Sequence, residues 1–268
     1  MPEKEEIVVF DSGVGGLSVL NKMRTFLPNE RYLYYGDISN APYGKRETAE
    51  IQRLTLAAVE PLISEQTKAL VIACNTATSA AIGLLRQKYT GFPVIGIEPA
   101  LKPAVEYTRT AVKERMPCIL VMGTDRTLLL PKYRALRSRF EKQARIVELP
   151  ATGLVPLVES GKRDGSEVEA LLRSLKASVA QFAFDAIVLG CTHFPFVSEA
   201  VLRVFGPVPQ FDGGDGVARQ TARLLRGREA RDKGGEVLFL SSANTASEKE
   251  RYETLCRALT ERKETEVK

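Results

Sequence analysis

The chain has 268 residues, about two compact units at roughly 150 residues each, and enough to bury a core without staples. Its 38 Lys and Arg against 33 Asp and Glu leave +5 in interspersed charges, with no Trp and 7% aromatics; nothing here asks for a nucleic-acid stripe, a base-stacking surface or a membrane-surface arm. The four dispersed cysteines suit reduced cytosolic thiols, the start reads as no secretory signal, and the uncharged stretch 69–85, interrupted by Asn75, Thr76, Thr78 and Ser79, is too short and polar for a bilayer span.

In chain order, the first apolar run is 7–10, followed directly by Asp11-Ser12-Gly13-Val14-Gly15-Gly16 and a helical stretch. Glycines there allow a sharp turn and turn backbone N–H groups toward an anion. The dinucleotide pattern is imperfect, because Ser18 stands where a third glycine belongs. A tight strand-to-helix turn is the better reading of the glycines alone, with Asp37 after the second run (32–35) kept as a candidate ribose-binding acid. Ala41-Pro42-Tyr43-Gly44-Lys45-Arg46 is a turn that can hold Tyr43 and a backbone N–H over a pocket, or an ordinary loop. A helix is expected over 46–65, ended or kinked by Pro61.

The run 70–73 ends in Cys74-Asn75-Thr76, and 94–97 ends in Glu98-Pro99, where Glu98 is either a buried acid or a turn residue. The run 118–122 ends in Gly123-Thr124-Asp125 and is followed by 146–149. The clearest helical stripe is 168–182, with Val168, Leu171, Leu172, Leu175, Val179 and Phe182 on one face. Then 186–190 ends in Cys191-Thr192-His193, and the runs 208–211 and 237–240 close the list of strands. Residues 161–166 and 227–235 read as surface loops. Several runs are apolar on both faces, as strands covered by helices on two sides are. The alternation predicts an α/β protein with parallel sheets. Asp11-Ser12 and Thr124 recur at strand ends ahead of ALVIAC and AIVLGC, and this echo suggests two related α/β units with a boundary after Pro99.

A lone free cysteine is usually a small buried hydrophobe, and that reading fits Cys118 and Cys256. Cys74 and Cys191 are different: each ends a central strand, where open α/β sheets bind ligands, and each is followed by polar residues. A helix N-terminus after the sulfur favours thiolate. His193, the only histidine, stands two residues after Cys191, where it can assist proton transfer or stabilise a thiolate, whereas one His and dispersed Cys give poor support for zinc. Two matched cysteines suit a carbon acid beside a carboxylate whose proton leaves one face and returns on the other. That chemistry needs one base per face, one thiolate and one thiol.

The motifs FDSGVGGLSVL, YYGDISNAPYGKR, VIACNTATSAA, VIGIEPA, VLGCTHFPF and, more weakly, VPLVESG resemble those of the glutamate racemases in the cofactor-independent aspartate/glutamate racemase superfamily. The resemblance extends over nearly the whole chain. It implies two similar, mainly parallel α/β domains with the active site in the cleft between them, residues 1–98 plus 209–268 forming the first and 99–208 the second. It implies interconversion of L- and D-glutamate for peptidoglycan in a bacterial cytoplasm, without cofactor or metal, by a homodimer that engages no nucleic acid and no membrane. Cys74 and Cys191 are then the acid/base pair, the first associated with D-glutamate and the second with L-glutamate. Asp11 would assist Cys74; Glu159 and His193 would assist Cys191. Substrate contacts would come from Asp11, Ser12, Pro42, Tyr43, Gly44, Asn75, Thr76, Thr124, Thr192 and His193. Racemisation of aspartate or another amino acid, and a dinucleotide-dependent enzyme, are the alternatives.

Overall fold

The computed structural model describes residues 5–230 and 234–266. Among the described residues, nine strands form two separate sheets in which every pairing is parallel. The first sheet has the order β4-β3-β1-β2-β9, built from β1 (Glu6–Asp11), β2 (Tyr32–Gly36), β3 (Thr67–Ile72), β4 (Val94–Gly96) and β9 (Val237–Ser241). The second has the order β6-β5-β7-β8, from β5 (Cys118–Gly123), β6 (Arg145–Pro150), β7 (Ala186–Leu189) and β8 (Gln210–Asp212). All nine runs read as strands in the sequence are strands.

The double-sided apolar runs have a direct cause. Every residue of β3, β5 and β7 is buried, because helices cover both faces of each sheet. Each such Val, Leu or Ile contributes about 1.5–3 kcal/mol on burial. One core cluster joins the two units, running from Ile7, Val9 and Val71 to Leu120, Met122, Leu189 and Cys191. A second cluster on the other face of the first sheet contains Cys74.

Between the strands lie α1 (Leu17–Phe26), α2 (Thr48–Val59), α3 (Asn75–Lys88), α4 (Leu101–Ala111), α5 (Asp125–Leu129), α6 (Pro131–Ser138), α7 (Leu154–Glu159), α8 (Ser166–Ala177), α9 (Ser198–Phe205), α10 (Gly214–Leu224) and α11 (Ala246–Glu266). The helix expected over 46–65 is α2 plus a 3-10 turn, Glu60–Leu62, that carries Pro61. The stripe expected to 182 stays helical only to Ala177, and 178–182 is turn. The loop expected over 227–235 includes residues 231–233, which lie outside the described residues.

The chain crosses between units twice. The first crossing, at Ile97–Ala100, leads from β4 into α4. The second comes later than the expected return at 209, because residues 210–212 are β8 and hydrogen-bond to β7 in the second sheet. The return is made at Gly213, and α10 then packs on α1. The two crossings touch: a Cβ at Gly213 would sit 2.5 Å from Glu98 O, so only glycine fits. Glu98 itself is exposed and ion-paired with Lys132, a surface turn residue and no site acid.

Candidate active site

The recurrence in the sequence is a recurrence in space. Cys74 and Cys191 each follow a buried strand by two residues, at the C-terminal ends of β3 and β7, and Asp11 and Gly123 end the neighbouring central strands β1 and β5. Both sulfurs are buried, and they are close enough that the charge of one raises the pKa of the other.

Around Cys74 the groups are neutral or acidic. Its Sγ lies 3.2 Å from Ser12 Oγ and accepts the Ala77 N–H at 3.5 Å, so the cysteine itself caps α3. Burial, and next the charge of Asp11, push the Cys74 thiol up to about 12; the Ser12 and Ala77 hydrogen bonds offset only part of this. Asp11 is fully buried and accepts from Gly13 N at 2.9 Å and from Thr192 Oγ1 at 3.0 Å. Its carboxyl is raised to about 6, chiefly by burial, while His193 and those hydrogen bonds pull the other way.

Around Cys191 the arrangement is ionic. His193 Nδ1 lies 3.7 Å from Cys191 Sγ, and Nε2 lies 2.6 Å from Glu159 Oε1. An imidazole flanked by a sulfur and a carboxylate donates from both nitrogens as the imidazolium. Burial would lower the His193 pKa, but Cys191 and Glu159 outweigh it and raise it well above its ordinary value. Burial would raise Glu159; the His193 bond and charge, the Val14 N–H at 2.9 Å and Arg251 together hold it below the usual carboxylate range. An imidazolium 3.7 Å from Sγ is the positive partner a thiolate needs.

The glycine loop serves this relay and not a pyrophosphate. A Cβ at Gly13 would collide with Glu159, and one at Gly15 with Thr192 and His193. Asp37, the candidate ribose acid, is buried and accepts from Tyr43 Oη at 2.6 Å and from Asn40, which holds the Tyr43 ring in place. Both features that suggested a dinucleotide are thus occupied by internal contacts. Gly44 presses on Thr124: a Cβ there would sit 2.9 Å from Thr124 Cβ. Thr124 meets Thr76 across the units at 3.0 Å. Pro42, Tyr43 and Gly44 thus stand beside α3 and α5. Asn75 is buried with its Oδ1 unpartnered.

Three participants were not read from the sequence. Thr127 completes a hydroxyl triangle with Thr76 (3.0 Å) and Thr124 (2.8 Å), and the Thr-x-x-Thr spacing of a helix cap was a usable signal. Ser18 Oγ lies 2.9 Å from Thr192 O and ties α1 to the Cys191 loop. Tyr34 Oη donates to Gly13 O at 2.7 Å, and no local pattern announces that. Cys118 and Cys256 are buried packing residues, as expected. Among the described residues no group of three or more His, Cys, Asp and Glu side chains is placed to hold a metal ion, and no helix is long and apolar enough to cross a membrane.

Two buried thiols thus stand at matched strand ends, one in each sheet, with unlike electrostatic surroundings. The chain belongs to the Asp/Glu/hydantoin racemase family, whose model matches residues 15–221. Among its relatives, it is 47% identical to the glutamate racemase of Clostridium acetobutylicum over 219 residues, covering 82% of this chain and 83% of that one. It is 42% identical to the glutamate racemase of Clostridium novyi over 249 residues, covering 91% and 94%. In structure it is similar to Escherichia coli glutamate racemase, solved with L-glutamate and the activator UDP-MurNAc-Ala, with a TM-score of 0.79, 32% identity and coverage of 93% and 95%.

Proposed function

We infer that this chain interconverts L- and D-glutamate by passing the α-proton between Cys191 and Cys74. The observation that carries the reading is the unequal surroundings of the two sulfurs: His193 as an imidazolium beside Cys191, and burial with Asp11 beside Cys74. For L-glutamate to react, Cys191 has to act as the base, beside the His193 ring, and Cys74 as the acid. Cys191 Sγ removes the α-proton of L-glutamate, and the electron pair spreads into the α-carboxylate. The Cys74 S–H then gives its proton to the opposite face, and D-glutamate leaves. The reverse reaction starts from the opposite protonation state. Asp11, with its carboxyl at about 6, is placed to assist proton return on the Cys74 side.

Substrate carboxylates are held by the backbone N–H groups that open α3 and by the hydroxyls of Ser12, Thr76, Thr124 and Thr192. The acceptor Asn75 Oδ1 suits the ammonium. Pro42, Tyr43 and Gly44 wall the pocket. No cofactor or metal enters this scheme. The same reading places the protein in a bacterial cytoplasm, as a homodimer supplying D-glutamate to peptidoglycan; sedimentation of the purified chain tests the pairing.

The test is incubation of purified, reduced protein with L-glutamate or L-aspartate, without added cofactor, with the D-enantiomer measured by chiral chromatography. D-Glutamate is expected to form much faster than D-aspartate. Faster D-aspartate, or neither product, overturns the assignment of glutamate.

A further inference from the structure

The long helix α11 packs on α1 and β9, at the first sheet, yet one of its side chains reaches the carboxylate that holds His193. Arg251 Nη2 donates to the main-chain carbonyl of Glu159, and it lies 3.5 Å from Glu159 Oε2. Its Nη1 is 3.3 Å from both carboxylate oxygens of Glu248, one turn earlier on α11. The neighbouring Tyr252 is fully buried and stands edge-on to Tyr34 at 5.4 Å, under the glycine loop whose Gly13 carbonyl Tyr34 holds.

We propose that Arg251 is a positioning residue for the Cys191 half of the site, clamping Glu159 in the orientation in which its Oε1 meets His193. Glu159 is the last residue of the short helix α7, where carbonyls lack intrahelical partners and a cation is favoured. One planar guanidinium there engages both the backbone and the carboxylate of the same residue, which a single hydrogen bond would not orient. Glu159 is then held from three directions: Val14 N–H, His193 Nε2 and Arg251. The other charged or titratable groups facing this cluster are Asp11 on β1, Tyr34 on β2, Cys191 after β7, and Glu248 and Tyr252 on α11. Beside the His193 imidazolium, Arg251 is a second cation that offsets the acidic members of this set. Without it, Glu159 takes a proton at higher pH and His193 loses its partner there. α11 thereby acts on the reaction through Glu159.

This assignment rests on the reading of Cys191, His193 and Glu159 as one working unit. The experiment measures kcat, KM and thermal midpoint against pH for Arg251→Gln, Arg251→Lys, Glu248→Gln, Tyr252→Phe and Glu159→Gln. Arg251→Gln is expected to move the acid limb of kcat/KM up by about 1 pH unit, with kcat falling more than KM rises. Arg251→Lys brings the limb back. Glu248→Gln, which frees the guanidinium from its competing carboxylate, moves the limb down and decides the matter if Arg251→Gln does not fold. Tyr252→Phe, whose buried hydroxyl has no hydrogen-bond partner among the described residues, leaves the limb in place. A limb unmoved in both Arg251→Gln and Glu248→Gln, with losses that follow the thermal midpoint alone, overturns the clamp. If Glu159→Gln also leaves rate and pH profile intact, the reading of Glu159 fails as well, and the two failures are told apart.

Discussion

Cys74 and Cys191 both sit two residues past a buried parallel strand, each beside a central strand that ends in a polar turn, yet their surroundings share almost nothing. Cys74 caps a 14-residue helix and faces Ser12 and Asp11. Cys191 leads into a 3-10 turn, Phe194–Val197, whose first residues include Pro195, and it faces an imidazolium fixed by the half-buried carboxylate of Glu159. The fold repeat supplies equivalent positions at the ends of two sheets. The flanking side chains supply unequal charge. In the proposed proton transfer, the cationic partner therefore stands beside one sulfur and the acidic one beside the other.

The comparison is broken most severely by removing a sulfur. Cys74→Ala and Cys191→Ala are each expected to lower racemisation by roughly 10⁴-fold or more. The enantiomers have equal free energy, so kcat/KM falls equally in both directions and cannot tell the halves apart. Exchange with solvent can: in D2O, Cys74→Ala is expected to label L-glutamate without inverting it, and Cys191→Ala to label D-glutamate, both read by NMR. His193→Asn comes next, with a loss of roughly 10²–10³-fold near neutral pH and residual activity that rises into the thiol range. A residual rate that does not depend on pH would contradict the role given to the imidazolium.

Asp11→Asn is expected to trade activity for stability. The folded carboxyl is held at about 6, against its ordinary 3.8, so the folded protein binds this proton more tightly than the unfolded chain does. The ionised group therefore costs nothing below pH 3.8 and its full penalty, about 3 kcal/mol, above pH 6. The thermal midpoint of Asp11→Asn relative to the parent should rise between pH 4 and pH 7. A difference in midpoint that is flat with pH would refute this. The smallest change is Thr124→Val, which removes one hydroxyl from the Thr76–Thr124–Thr127 triangle. It should raise KM about fivefold, one hydrogen bond's worth.

Much of this was legible before any coordinates. The strands announced themselves because their apolar runs are covered on both faces, and the cysteines because each interrupts such a run at its polar end. Glu159 was visible only through the weak VPLVESG match, yet it lies within hydrogen-bond distance of His193 across 34 positions. Contacts made by distant segments left no local trace. Arg251 meets Glu159 from 92 positions away, and Tyr34 supports Gly13 from the neighbouring strand. Asp37 stands in the sequence as a candidate ligand acid because its place after a strand is the same in both readings; only the Tyr43 hydroxyl on its carboxylate separates them. The second crossing was expected too early for a similar reason: β8 is three residues long, too short for its apolar pattern to declare which sheet it joins.

The most direct test of two bases on two faces follows the first turnovers of unlabelled L-glutamate in D2O. With Cys191 taking the α-proton and Cys74 giving a different one, D-glutamate must carry α-deuterium from the start, while the remaining L-glutamate stays unlabelled. D-Glutamate that retains the substrate's own α-proton would mean one group serves both faces, and would contradict the assignment of Cys74 and Cys191 to opposite sides.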